Sequence, residues 1–195
     1  MTVPVANAKS QHVPAKAQTV AMWLFLAALA MLFGATMVGY FIVRARQGAI
    51  PSFQLPRTLW ISTALMLAGS VTIHSAVTAA RRERQQELRR HLVMTCIFAG
   101  LFVIVQTPAL IRLLDRHREL AASQRVFLYG LIFFLILVHA LHVLGGVVGL
   151  GVTTANAFRG KYDHENYTGV RSAAMYWHFL DVVWIIMFLG ILLTG

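Results

Sequence analysis

Charge is scarce in this chain: only 12% of its 195 residues are Asp, Glu, Lys or Arg, about half the share usual in a soluble domain. Acidic residues are scarcer still, with 7 Asp+Glu against 17 Lys+Arg and a formal net charge of +10. Cys96 is the only cysteine, which excludes an internal disulfide and any thiolate-pair metal site. Strand-length alternation of polar and apolar residues is missing, and a transmembrane β-barrel would show it in segments of about 10 residues. There is no internal repeat or low-complexity tract, and the polar connections are too short for a second, soluble domain. Nucleic-acid binding would need basic residues gathered on one water-facing surface; here they fall in short runs between apolar stretches. What the chain has instead is 58% hydrophobic residues and a mean hydropathy of +0.67. Disordered chains are poor in such residues, and a water-soluble fold of this size could not hide so much apolar surface. The composition predicts an integral membrane protein.

A spanning helix needs about 20 mostly apolar residues, and the runs 20–43, 58–80, 92–111, 126–152 and 173–194 qualify. They predict an all-α, polytopic five-helix transmembrane bundle over 20–195. Asp181 is the only Asp, Glu, Lys or Arg inside any of them. Residues 1–19 are polar and carry Pro4 and Pro14, so they read as a flexible cytoplasmic tail. The first apolar run begins too late and runs too long for a secretory signal, and should persist as a helix. An odd number of spans puts the termini on opposite sides. The densest basic cluster, Arg81, Arg82, Arg84, Arg89 and Arg90, follows the second span. By the positive-inside rule this connection is cytoplasmic, together with Lys9, Lys16, Arg159, Lys161 and Arg171. The expected orientation is N-in, C-out.

Ionisable groups within a span are costly and normally face protein or water. The candidates are His74 in the second span, His139 and His142 in the fourth, and His178 with Asp181 in the fifth. With about 1.5 Å of rise per residue, all five fall in or near the inner third of the bilayer, His139 somewhat nearer the midplane. His139 and His142 are i, i+3, as are His178 and Asp181, so each pair shares a helix face. The residues therefore predict an intramembrane polar network that ties helices together. A proton relay, a lipid-headgroup site and a single haem between His74 and His142 or His178 remain open on the chemistry alone. Two haems would require histidine pairs at separate depths, and a metal catalytic site would have only Asp181 as a carboxylate. Gly145 and Gly149 have GxxxG spacing, which allows close helix approach. Trp177 and Trp184, seven apart, share a stripe of the last span.

The last span contains Tyr176-Trp177-His178-Phe179-Leu180-Asp181-Val182-Val183-Trp184, and the fourth contains His139-Ala140-Leu141-His142-Val143-Leu144-Gly145-Gly146. The first run closely resembles the signature of subunit III of haem-copper terminal oxidases, and the second is similar to that family's HGLHV-type motif. Weaker agreement comes from Ser70-Val71-Thr72-Ile73-His74, from Gln106, and from Met22-Trp23-Leu24-Phe25. The length resembles the short bacterial form, without the first two helices of the seven-helix version. The resemblance implies a non-catalytic subunit packed on the haem- and copper-bearing subunit I, with subunit II and other respiratory subunits as further partners. It implies no haem, copper or other metal on this chain, retained structural phospholipid, support of proton uptake during O2 reduction, and a bacterial inner membrane location.

The family's lipid-phosphate pair falls on Arg159 and Lys161. They are also the first cations after the uncharged stretch 126–158, where basic residues meet anionic headgroups or simply set topology. Two family carboxylates are missing, at the positions of Leu29 and Ala109, so no role resting on them carries over. A subunit accompanying a nitric oxide reductase, or an independent haem-binding or transport protein, is the alternative. The electron donor, cytochrome c or quinol, is not readable from these residues.

Overall fold

In the computed structural model, residues 15–46, 58–119, 126–162 and 167–194 are described. They form five helices, α1 (Ala15–Arg46), α2 (Thr58–Arg81), α3 (Gln85–Glu119), α4 (Val126–Phe158) and α5 (Thr168–Thr194), with no strand among the described residues. Each is long and apolar enough to cross a membrane. Most outrun their apolar stretches at one end or both. α3 has 35 residues, about 52 Å at 1.5 Å per residue, against a hydrocarbon core of about 30 Å. Once a helix leaves the membrane, each added residue still gains a ladder bond without a new nucleus. For this reason 15–19, expected in the tail, are the first residues of α1. The remainder of that expected tail, 1–14, lies outside the described residues.

Two connections at the same end of the bundle are closed by matching caps. After α4, Gly160 takes φ +68°, Gly160 N–H donates to Ala157 O at 3.1 Å, and Lys161 N–H donates to Asn156 O at 3.1 Å. After α2, Glu83 takes φ 60°, and Arg84 N–H donates to Ala79 O at 3.1 Å. Both are Schellman-type ends, in which a left-handed residue lets the chain satisfy the last carbonyls. α3 then starts at once, with Arg84 and Glu87 paired at 3.0 Å on its first turn.

Helices α2, α3, α4 and α5 close into a ring in which each packs on its two neighbours. α1 lies outside it, against α4 and α5, and touches neither α2 nor α3 through the backbone. Leu26, Leu29, Phe33, Met37 and Tyr40 form its buried face, at the 3–4 residue spacing of a single stripe. Elsewhere α1 is apolar and exposed, as expected of a surface whose solvent is lipid. α5 is the most enclosed span, with Trp177, Leu180, Asp181, Val183, Trp184, Met187 and Phe188 all buried. Helix association in a bilayer has no bulk hydrophobic drive and relies on close packing and interhelical hydrogen bonds. α5 is hydrogen-bonded to α2 through Ser70 and Thr63 and to α4 through His142 O, while the most extensive helix–helix packing is between α2 and α3.

Candidate functional site

The intramembrane polar residues fall into two clusters, both registered on α5. In the first, His178 Nδ1 and Ser70 Oγ share a hydrogen bond of 2.7 Å. Asp181 Oδ2 lies 3.9 Å from His178 Nδ1. The rings of His74 and His178 stand 6.2 Å apart at an interplanar angle of 52°. His178 is half-buried and His74 exposed, whereas Asp181 is buried with neither carboxylate oxygen hydrogen-bonded. The cluster therefore runs from an enclosed carboxylate to an imidazole on the outer surface of α2.

In the second cluster His139 is buried between α4 and its neighbours. Its ring stacks on Trp184 with centroids 5.4 Å apart, and Phe33 of α1 meets it edge-on at 6.1 Å. Trp184 is fixed in turn, since its indole N–H donates to Thr63 Oγ1 at 3.0 Å and Phe102 meets it edge-on at 5.6 Å. His142 Nδ1 donates to Val138 O at 2.7 Å within its own helix, and Tyr176 OH donates to His142 O at 2.9 Å. His139 is bonded through neither ring nitrogen.

Among the described residues the expected network takes the form of two clusters, with His139, expected nearer the midplane, in the second. His178 marks the level of the first and Trp184 that of the second, six positions apart along α5 or about 9 Å. Of the histidine pairs considered for a single haem, His74 and His178 are the pair brought together, with His178 Nδ1 bonded to Ser70. Among the described residues, no three His, Cys, Asp or Glu side chains stand close enough to hold a metal ion.

The glycine expectation is also corrected. A Cβ on Gly149 would meet nothing within 4 Å, and one on Gly145 only the Tyr176 hydroxyl at 4.0 Å. Gly146 makes the close approach instead: a Cβ there would stand 3.0 Å from Tyr176 Cε1 and 3.2 Å from Leu180 Cδ1. The GxxxG pair faces outward while its neighbour faces α5, because one residue along a helix turns the side chain by about 100°. Trp177 and Trp184 are both buried, at 1% and 3% exposure. Trp177 lies against Gly69, where a Cβ would be 3.3 Å from the indole nitrogen.

Arg159 and Lys161 are exposed at the α4 cap. The start of α3 is tied to this same end: Arg89 Nε donates to Ala157 O at 3.2 Å, and its guanidinium lies 5.6 Å from the Phe158 ring centre. Gln85 Nε2 donates to Tyr162 O at 2.8 Å, and Arg81 lies over the Tyr167 ring at 5.8 Å. Sequence reasoning placed Arg89 in a topogenic cluster and missed that it joins Arg159 and Lys161. Ser70, Thr63 and Tyr176 were missed as hydrogen-bonding partners; the i, i+4 spacing of Ser70 and His74 was the only local signal. Of the two positions without the family carboxylates, Leu29 is buried, and the Ala109 side chain lies outside the described residues.

Comparison with known proteins gives a consistent relationship. Residues 7–195 match the family described as Cytochrome c oxidase subunit III. The chain is 29% identical over 177 residues to the cytochrome c oxidase subunit 3 of Corynebacterium diphtheriae, covering 86% of this chain and 83% of that one. It is 30% identical over 169 residues to the probable cytochrome c oxidase subunit 3 of Mycobacterium leprae, covering 85% and 82%. It is 27% identical over 177 residues to the cytochrome bo(3) ubiquinol oxidase subunit 3 of Pseudomonas aeruginosa, covering 89% and 83%. With five membrane-length helices and the two histidine motifs set around the fifth, the chain belongs to the cytochrome c oxidase subunit III family and is a subunit III of a haem-copper oxidase.

Proposed function

We propose that the chain is a non-catalytic subunit that packs directly on the haem- and copper-bearing subunit I in a bacterial inner membrane, with subunit II and other respiratory subunits in the same complex. The observation that carries this reading is the likeness to subunits 3 of both a cytochrome c oxidase and a ubiquinol oxidase. A chain whose relatives serve either donor acts away from donor binding. Haem and copper belong to the partner subunits, and this chain contributes to proton uptake and to retention of the catalytic subunit's lipid surroundings. Copurification in mild detergent tests the assignment: the haem-copper catalytic subunit should accompany the full chain, and its absence overturns direct packing. The isolated chain should have no Soret band; a stoichiometric bis-histidine haem spectrum would reverse the non-catalytic assignment.

The end bearing Arg81, Arg89, Arg159 and Lys161 is read as cytoplasmic, giving N-in and C-out, because basic connections are retained on that side. Arg159 and Lys161, joined by Arg89, are assigned to anionic phospholipid headgroups, where each basic residue gains about 1 kcal/mol near the surface. Changing Arg159 and Lys161 together to Gln should reduce copurifying phosphatidylglycerol or cardiolipin while leaving haem content unchanged. Unaltered lipid stoichiometry by native mass spectrometry would reject a specific site.

A further inference from the structure

One polar spot interrupts the membrane-facing surface. Of the five ionisable side chains within the apolar stretches, His74 alone is exposed, and its ring has no hydrogen bond among the described residues. Acyl chains offer an imidazole no partner, so ionisable residues within spans normally face protein or a water-filled cavity. Surface hydroxyls avoid the cost by bonding back to their own helix. Ser75 Oγ donates to Val71 O at 2.9 Å, and Thr107 Oγ1 to Val103 O at 2.7 Å. His142 does the same through Val138 O; His74 does not. Beside it lies His178, whose side chain is 40% exposed. Ser70 takes His178 Nδ1, and Nε2 has no bond among the described residues.

The two imidazoles belong to one face. On α5 the exposed residues Val182, Ile186, Leu189 and Leu193 recur at the 3–4 residue spacing of a stripe, and His178 stands one turn before Val182 on it. On α2, Trp60, Leu67 and Val71 are exposed along a stripe that ends in His74. The stripes run side by side: Trp60 meets Phe188 edge-on at 5.1 Å toward one end, and His74 meets His178 toward the other. From Trp60 to His74 the face extends for about 21 Å of helix. α1 packs on α4 and α5 but does not reach α2, so it leaves this face open. The outer sides of α3 and α4 are different in kind. Leu101, Ile104, Leu144 and Val148 are exposed there, and acyl chains suit them.

We propose that the α2–α5 face bearing His74 and His178 is the docking surface for a transmembrane helix of the haem-copper catalytic subunit. That helix is apolar along Trp60, Leu67, Val182 and Ile186, and carries a hydrogen-bonding side chain opposite His74. The inference rests on the direct packing proposed above and adds its location. A neutral imidazole has one donor and one acceptor to satisfy. Lipid satisfies neither, whereas a carboxamide, hydroxyl or carboxylate on a facing helix satisfies at least one.

Photocrosslinking in the purified complex tests this. With p-benzoylphenylalanine in place of Leu67 or Val71, illumination should join this chain to the catalytic subunit. The same probe in place of Ile104 or Val148 should give no such adduct. His74→Leu should lower retention of this chain in the complex about threefold to tenfold, as expected for one interhelical hydrogen bond. His74→Gln should lower it less, and Ser75→Ala, whose hydroxyl is bonded within α2, should leave it unaltered. Crosslinking from Leu67 and Val71 reads the face with His74 intact, so it stands even if a His74 variant folds poorly. Adducts with the catalytic subunit from Ile104 or Val148 instead of Leu67 and Val71 overturn this face and leave direct packing intact. A catalytic subunit that never accompanies the chain overturns both. Adducts from Leu67 and Val71 to lipid alone, or to a second copy of this chain, overturn the proposal, as does full retention of His74→Leu.

Discussion

His178 on α5 and His139 packed against α5 are both intramembrane histidines, yet their surroundings differ in kind. His178 is half-buried, shares a 2.7 Å hydrogen bond with Ser70, and has Asp181 3.9 Å away and His74 on its outer side. His139 is enclosed by Trp184 and Phe33, with no bond to either nitrogen. The first is positioned by hydrogen bonding and electrostatics at the rim of the bundle. The second is positioned by aromatic packing in its interior. A similar motif spacing, i, i+3 in each helix, therefore yields two different physical environments.

The strongest way to break the contrast is Trp184→Ala. This removes the wall of the His139 cluster, the bond to Thr63 and the contact with Phe102. Truncating a buried aromatic costs about 3–5 kcal/mol, so the bundle should unfold at markedly lower denaturant or temperature. A loss confined to a few tenths would mean that packing does not hold His139.

Gly146→Val tests the seam between the clusters, where Tyr176 lies 3.0 Å from an added Cβ. Overpacking of this kind costs about 1–3 kcal/mol. Gly149→Val, with nothing within 4 Å, should leave the isolated chain within about 0.5 kcal/mol. Equal effects at the two glycines, read from unfolding curves, would contradict the observed facing of α4.

Asp181→Leu sharpens the other side of the comparison. It removes the carboxylate beside His178, whose ring reaches the bundle surface, so its effect belongs in assembly. Loss of an intramembrane polar interaction is worth about 1–2 kcal/mol, visible as reduced retention of this chain in the purified complex. Asp181→Asn should be milder, because it keeps hydrogen-bonding capacity. Normal assembly with arrested turnover in Asp181→Leu would make Asp181 a relay for protons instead. The smallest effect is expected from Ser70→Ala, which removes the shared bond to His178 at a cost of about 0.6 kcal/mol. A loss several times larger would show that Ser70 anchors more than one ring.

The five spans were legible because a bilayer imposes one simple rule: about 20 apolar residues in succession. The seven-residue spacing of Trp177 and Trp184 placed them on one stripe without saying which way it faces, and the motifs around His139 and His178 pointed to the family. Helix ends were less legible, as at Ala15, because polar residues neither require nor forbid continuation of the ladder outside the membrane. Gly145 and Gly149 were misleading for a related reason. Their spacing defines a face, but not which way it turns.

By itself, the sequence determined that this is a five-helix membrane protein and which family it belongs to, because length, apolarity and contiguous motifs are local properties. Only the tertiary structure decided which residues meet. It brought Ser70 to His178, turned Gly146 rather than Gly149 toward α5, joined Arg89 to the Arg159 end, and set Gln106 across from an unbonded His139. Each depends on the rotation and offset of helices far apart in sequence. In a bilayer those are fixed by side-chain packing and hydrogen bonds between spans, and not by the hydrophobic pattern that placed the spans in the membrane.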